Sequence, residues 1–350
     1  MTHFFQNILD TQGLKGLFEF SKKHSILGYV WDELQAELSS CPEKQDALNS
    51  KEDRALLARW YTVVSKIEEV NKQQNILCAR IEQKFMSDGF QTQILKGQSL
   101  APLHRNPLHR SPGDIDIWLR KKDGNNRNLA ENRDCVVKYI RKIMPNSKIY
   151  YHHMELPSIG KTSVEAHFTP SWMANPFRNR ELQQFFIREF KSSKVQEFNE
   201  VFILLHIFRH LFQEGISLKQ VLDYYYVLRH RASSGEDAAS AVNMLRRLGL
   251  IKFIRALLWV EQEVFGLEKA LVFLESDEKE GRFLLKEILS RGRGDASVTI
   301  SDFTSDSHLH NFGSRIKRAV VLLGHCPDEA LWEVPWRVWH WIWRRCKGYV

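Results

Sequence analysis

The chain has 350 residues, 43% of them hydrophobic, enough for about two ordinary domains with substantial cores. No apolar run approaches the roughly 20 residues needed to span a bilayer, and the first residues lack a signal-peptide pattern. The five cysteines (Cys41, Cys78, Cys135, Cys326, Cys346) never form a Cys-x-x-Cys pair, so the expectation is a cytoplasmic protein with reduced thiols and neither a disulfide framework nor a structural zinc module. Lys and Arg number 50 against 42 Asp and Glu, a formal charge of +8 that favours anionic partners such as nucleotides, nucleic acid or a phospholipid surface.

Residues 1–50 read as short helices separated by turn signals. From 51 to 88 the apolar positions Leu56, Leu57, Trp60, Val63, Val64, Ile67, Val70, Leu77, Ile81 and Phe85 recur mostly at intervals of three and four, which predicts one long amphipathic helix. The pattern then changes. Strands are predicted at 92–95, 114–119, 148–152 and 162–168, with a helix at 135–144 between them, the order of a small α/β unit. After Pro170 helical periodicity returns, near 179–191, 197–214, 217–231, 237–249 and 251–266. The stretch 290–314 reads as a long loop, with helices at 315–324 and 335–346. The predicted fold class is α+β: an N-terminal helical region (1–90), a small mixed-sheet core (91–170), and a C-terminal helical region with a Trp/Arg-rich tail (171–350).

Within the sheet, side chains alternate faces, so Asp114, Asp116 and Trp118 share one side of their strand while Ile115, Ile117 and Leu119 point to the core. Two like charges on one face repel, and a divalent cation would neutralise them. Magnesium suits carboxylate oxygens, and two ions about 3.5–4 Å apart could clamp the entering and leaving oxygens of a phosphoryl displacement. Glu165, on the face opposite Val164, Ala166 and Phe168, would supply the third carboxylate and a general base if its strand is a neighbour. Upstream, a strand ending at Lys96-Gly97 and followed by helix-compatible Ser99-Leu100-Ala101 would aim backbone N–H groups at a triphosphate. Gly97 permits the close approach, and Lys96 or Arg110 adds positive charge.

The order Leu95-Lys96-Gly97, an apolar segment 100–103, Arg110, Gly113-Asp114-Ile115-Asp116 and Glu165-Ala166-His167 resembles the nucleotidyltransferase superfamily of the DNA polymerase beta type. It is most similar to a bacterial branch of nucleotidyltransferases, and the likeness continues through 204–210 and 218–223. The resemblance implies Asp114, Asp116 and Glu165 as catalytic metal ligands, and Lys96, Gly97, Gln98 and Arg110 as the nucleotide-binding turn. It also implies magnesium as cofactor and a nucleoside triphosphate as substrate. The superfamily's turn commonly carries Gly-Ser, whereas this chain has Gly97-Gln98, which favours the alternative of a nucleotide- or partner-binding module without turnover.

His167, His210 and Asp223 are candidates to line the site. His206 and His210 are spaced i, i+4 as in a zinc-binding His-Glu-x-x-His helix, but Ile207 stands where the glutamate belongs. Asp223 could reach His210 or Arg209 from an adjacent helix. His152 and His153, neighbours on a predicted strand, would face opposite sides and fill the strand or the surface. Trp332, Trp336, Trp339 and Trp343 recur at helical spacing among arginines, a composition that suits packing on the protein's own body or peripheral membrane contact through 332–347. No nucleic-acid module or continuous basic stripe is present, so specific nucleic-acid binding is not expected. The predicted function is metal-dependent transfer of a nucleoside monophosphate from a triphosphate to an unidentified hydroxyl or phosphate acceptor.

Overall fold

The computed structural model describes residues 1–122, 129–190, 192, 195–213, 215–235, 237–291 and 307–349. Helices α1 (His3–Lys23), α2 (Leu27–Ser40), α3 (Pro42–Ala47) and the 37-residue α4 (Lys51–Ser87) lead into strand β1 (Phe90–Ile94). Strand β2 (Ile115–Lys121), helix α5 (Leu129–Ile143) and the hairpin β3 (His153–Ile159) and β4 (Thr162–His167) complete the sheet. Helices α6 (Pro176–Glu189), α7 (Val195–Phe212), α8 (Leu218–Ser234), α9 (Ala239–Arg247), α10 (Ile251–Phe265), α11 (Glu278–Arg291), α12 (Ser307–Leu322) and α13 (Pro327–Cys346) follow. The fold is α+β, a small mixed sheet flanked by helices, as the periodicities predict.

Helix α4 starts where Ser50 accepts a hydrogen bond from the Asp53 N–H at 3.0 Å, with Glu52 and Asp53 complementing the positive end of the helix. It ends at Asp88, and Gly89, at φ +86°, turns the chain into β1. Its buried stripe is Trp60, Val64, Asn71, Gln74, Cys78, Ile81 and Phe85. Two amides therefore stand in apolar phase, and Val70, counted in the stripe from sequence, is 37% exposed.

The strand order is β1-β2-β4-β3, with β2 parallel to β4 and the outer pairs antiparallel. Helix α5 makes the crossover that a parallel pair requires. One sheet face carries Ile115, Ile117, Leu119, Val164 and Ala166, which pack with Val136, Val137 and Ile140 of α5 and Cys78, Ile81 and Phe85 of α4. The opposite face meets the helical body, where Trp118 stacks on Phe198 and lies edge-on to Phe186 and Phe190. The N-terminal and C-terminal helices share one apolar core: Phe5 packs on Phe265, and the Thr2 hydroxyl donates to the Val264 carbonyl at 2.9 Å.

Several boundaries differ from the sequence reading. The third strand begins at His153, not at 148, because the hairpin turn sits at Gly160 (φ +62°) and the strand leading into it is 153–159. Helix α11 was not read from the sequence; Gly281 lets it lie against Trp259, where a Cβ would come within 2.5 Å of the indole. Of the predicted loop 290–314, residues 292–306 lie outside the described set, and the chain from Ser307 onward is helix α12. Helix α13 runs from Pro327 through Pro335 instead of starting there. Its first half is held by Glu329, which accepts from the Ala174 and Asn175 N–H groups, and by Arg209, which donates to Glu329 at 2.6 Å and Glu333 at 3.2 Å. No helix of the described residues is long and apolar enough to cross a membrane.

Candidate functional site

Parallel pairing sets Asp116 directly opposite Glu165 and Trp118 opposite His167, on the sheet face turned toward the helical body. The alternation read from sequence is thus the alternation in the fold, and strand adjacency brings the two carboxylates together. Asp116 is 0% exposed. His167 Nε2 lies 3.0 Å from Asp116 Oδ1 and 3.2 Å from Glu165 Oε2, bridging them. Lys96 Nζ lies 3.2 Å from Asp116 Oδ2, which accepts no well-formed hydrogen bond. Asp114, just ahead of β2, is exposed, and its charge reaches Lys96 along with those of Asp116 and Glu165.

Electrostatics follow from these distances. Burial alone would lower Lys96, but Asp116, Glu165 and Asp114 outweigh it and raise the ammonium above its ordinary value. Burial would likewise lower His167, yet its hydrogen bonds to Asp116 and Glu165 raise it to about 9, so this ring is an imidazolium at neutral pH. Burial would raise Glu165, and the His167 hydrogen bond with the neighbouring charges instead holds its carboxyl well below the usual range. The like charges that sequence reasoning left for a divalent cation are balanced here by Lys96 and His167.

His152 and His153, expected to fill the strand or the surface, lie beside this cluster, His153 as the first residue of β3. The hairpin register pairs His153 with His167, and His153 Nε2 comes to 3.8 Å from Glu165 Oε1. Its Nδ1 is 2.9 Å from His152 Nε2, and the His152 ring packs on Trp172 with centroids 4.2 Å apart. Burial pushes His153 down to about 4 and His152 well below its ordinary value, so both are neutral imidazoles. No sequence pattern gave this register: the hairpin turns at Gly160 and Lys161 with Ile159 opposite Thr162, and an irregularity between Leu156 and Ile159 shifts the pairing so that His153 falls opposite His167.

The segment 95–113 is held from two sides. Gly97 is at φ +69°, a conformation that a side chain would strain, and a Cβ there would lie 3.7 Å from the Asp114 carbonyl and 3.8 Å from Arg110 Nη1. The predicted helix after Gly97 is replaced by isolated 3-10 turns at Gly97–Ser99 and Ala101–Leu103. Pro102 and Pro107 each remove an N–H and forbid a continuous α-helix, so no helix terminus points at a triphosphate. The Asn71 amide donates to the Leu108 and Arg110 carbonyls at 2.7 and 2.8 Å, and the Gln74 amide to the Gly113 carbonyl at 2.7 Å. These contacts explain the two amides in the apolar stripe of α4. Gln98 turns to the same helix, its amide 3.2 Å from the Asn71 carbonyl.

From the other side, Asp223 on α8 accepts a bidentate pair from Arg110, Nε to Oδ1 at 2.8 Å and Nη2 to Oδ2 at 2.7 Å, with His104 Nε2 at 3.0 Å from Oδ1. The expected partners of Asp223, His210 or Arg209, are thereby replaced: Arg209 is committed to Glu329 and Glu333, and the His210 ring lies edge-on to His206. Lys219, one turn before Asp223, donates to the Pro112 carbonyl at 3.1 Å.

The C-terminal tryptophans divide between two faces of α13. Trp336 stacks on Trp172, and Trp343 packs on Tyr151 and under the Arg133 guanidinium. Leu331, Val338, Trp339, Trp341 and Ile342 are exposed, with the Arg345 guanidinium 4.0 Å over the Trp341 ring.

Comparison with curated proteins and with solved structures gave no match. A family model described as an uncharacterised nucleotidyltransferase matches residues 12–266. That span holds the whole sheet, the 95–113 segment and the helices α7 and α8. By this match the chain belongs to that nucleotidyltransferase family, whose general chemistry is nucleotidyl transfer.

Proposed function

We propose that the chain transfers a nucleoside monophosphate from a nucleoside triphosphate to a hydroxyl or phosphate acceptor and releases pyrophosphate. In this reaction the acceptor oxygen forms a bond to the α-phosphorus, the bond to the pyrophosphate oxygen breaks, and the acceptor proton leaves to a base. The observation that carries the reading is the pairing of Asp116 with Glu165 across β2 and β4, with Asp114 and Lys96 on the same charged cluster and the Gly97 turn beside it.

Asp114, Asp116 and Glu165 would hold magnesium, two ions in the full reading, and the buried Asp116 Oδ2 without a well-formed hydrogen bond fits that role. Bound magnesium supplies positive charge to the triphosphate and the developing transition state. Glu165 is assigned to take the acceptor proton; the His167 hydrogen bond that holds its carboxyl well below the usual range must be released for it to act as a base. Lys96 balances the carboxylates and lies next to the turn that receives phosphates. Arg110, its charge matched by the fork on Asp223 and its Nη1 beside Gly97, fixes the shape of that turn. His167 orients Glu165 and Asp116; His210 and the remaining helical surface are assigned to the acceptor side.

A specific observation favours a second reading, a nucleotide- or partner-binding module without turnover: Gln98 is drawn to Asn71 instead of toward the turn. Incubation with magnesium and labelled triphosphates, with and without cell extract, separates the two. Transfer of label that is lost in the Asp114→Asn/Asp116→Asn variant supports the enzyme; undiminished transfer by that variant refutes this site, and triphosphate binding without transfer in any arm supports the module. The exposed apolar face of α13, rimmed by Arg345 and Lys347, adds peripheral contact with an anionic lipid surface to the reading.

A further inference from the structure

The sheet face that holds Asp116 and Glu165 also gathers nitrogen donors. His153, Glu165 and His167 offer one ligand atom each, all within 4.8 Å of one another. Individual separations are 3.2 Å from His167 Nε2 to Glu165 Oε2 and 3.8 Å from His153 Nε2 to Glu165 Oε1. A four-coordinate ion with bonds of about 2.1 Å places its ligands about 3.4 Å apart, close to these separations, which run to the two different oxygens of the Glu165 carboxylate.

The outer nitrogens support the same conclusion. A ligating histidine presents one ring nitrogen to the ion and secures the other by a hydrogen bond, which fixes ring orientation and tautomer. His167 Nδ1 lies 3.4 Å from the Thr169 carbonyl, which can only accept, and His153 Nδ1 lies 2.9 Å from His152 Nε2. Both rings therefore turn Nε2 toward Glu165. The His152 ring that fixes His153 is itself packed on Trp172.

We infer that His153 Nε2, His167 Nε2 and a carboxylate oxygen of Glu165 form a site for one nitrogen-accepting divalent transition metal, zinc fitting best, beside the oxygen donors of Asp114 and Asp116. Two imidazoles and one carboxylate with a fourth position left open is a zinc donor set, and imidazole ligation disfavours magnesium. The inference rests on the proposed role of Glu165 as a metal ligand and assigns the class of metal on its side of the site. His167 gives up its bridge between Asp116 and Glu165 when the ion enters, and Lys96 remains to balance Asp116.

The test uses the full chain stripped with a chelator and titrated calorimetrically with zinc and, separately, with magnesium. The expected result is one zinc per chain, bound at least about 10-fold more tightly than magnesium. His153→Ala and the size-preserving His153→Gln should each weaken zinc by about 10-fold or more, the scale on which disturbing a metal site acts, with magnesium affinity unchanged. X-ray absorption at the zinc edge of the wild-type protein should count two imidazole ligands, a readout that needs no variant to fold. Fewer than two imidazoles, sulfur ligation by a cysteine, or zinc affinity untouched in both His153 variants overturns the site. None of these readings depends on transfer: a failed zinc site with label transfer intact leaves the nucleotidyltransferase reading standing, and zinc binding without transfer removes only the latter.

Discussion

Replacing Asp223 by alanine should destabilise the protein far more than any surface substitution. Arg110, Asp223 and His104 are 6%, 5% and 7% exposed, so the variant leaves a guanidinium buried opposite no carboxylate. Breaking a buried pair from one side costs about 3–5 kcal/mol. The N- and C-terminal helices share a single core, which makes one cooperative unit the natural reference. At about 2.1 cal/mol/K of unfolding entropy per residue, 350 residues turn that cost into a fall in Tm of about 4–7 °C. The apolar replacement Arg110→Met/Asp223→Leu should recover most of the loss, because both charges leave together. Calorimetry of the single and double variants checks this. A shift below about 1 °C for Asp223→Ala, or a double variant no better than the single, refutes the view that this pair carries a buried charge across the two elements. Acid adds an independent sign. Burial would raise the Asp223 carboxyl, but the Arg110 and His104 contacts hold it well below the ordinary range. Its stabilisation is complete above the unfolded value of about 3.9 and is lost as pH falls through the folded one, so the wild-type chain should lose more stability below about pH 4 than the variant does.

The metal-free protein should lose stability as pH rises from about 6.5 toward 9, because His167, raised to about 9, contributes fully only below its unfolded value. A shift of that size is worth up to about 3 kcal/mol; urea midpoints at pH 6 and pH 9 should differ in wild type and converge in His167→Gln, and equal pH slopes for the two proteins would falsify the bridge. Asn71→Ala removes two buried donors and strands the Leu108 and Arg110 carbonyls, at a cost of about 1–3 kcal/mol. Its apparent affinity for nucleoside triphosphate should fall as the 95–113 segment loosens, while Asn71→Leu, which packs equally well, should not rescue it. For the outer face of α13, Trp341→Ser/Ile342→Ser should reduce flotation with anionic liposomes and leave Tm within about 1 °C, since both side chains are about half exposed; equal flotation of variant and wild type removes lipid contact from the reading.

Legibility in the sequence followed periodicity. The long helix α4, the alternation along β2 and β4, and the helices from α6 to α10 announce themselves because each buries a regular apolar face. What stayed hidden depends on register or on partners distant in sequence. His153 reaches the site through the register shift between Leu156 and Ile159 in the hairpin, and a strand begun at 148 throws that pairing away. Asn71 and Gln74 look like gaps in an apolar stripe until the segment they hold, some 37 to 39 residues later, is in place. Asp223 was recognised as a candidate, but its partner lies 113 residues earlier in the chain, and adjacency along α7 and α8 suggested the wrong ones. Among its described residues, helix α11 buries just two large apolar side chains, Leu284 and Ile288, too thin a stripe to declare itself.

The charge at the site shows the same division. From sequence, Asp114 and Asp116 called for a divalent cation to balance them; the structure sets two side-chain cations beside Asp116, Lys96 from the preceding turn and His167 from the neighbouring strand. Those cations balance charge at Asp116, and they also set a condition on any ion that enters. Lys96 can stay when the ion sits between Glu165 and the two imidazoles, since its ammonium lies at Asp116 Oδ2. His167 cannot remain an imidazolium and ligate at the same time, because its Nε2 proton occupies the space between Asp116 Oδ1 and Glu165 Oε2. Metal loading must therefore release a proton from this ring, and loading followed in two buffers of different ionisation enthalpy should show it. Identical apparent heats in both buffers at pH 7 would mean that the ion sits elsewhere, and that the carboxylates and imidazoles of this sheet face are a structural charge cluster.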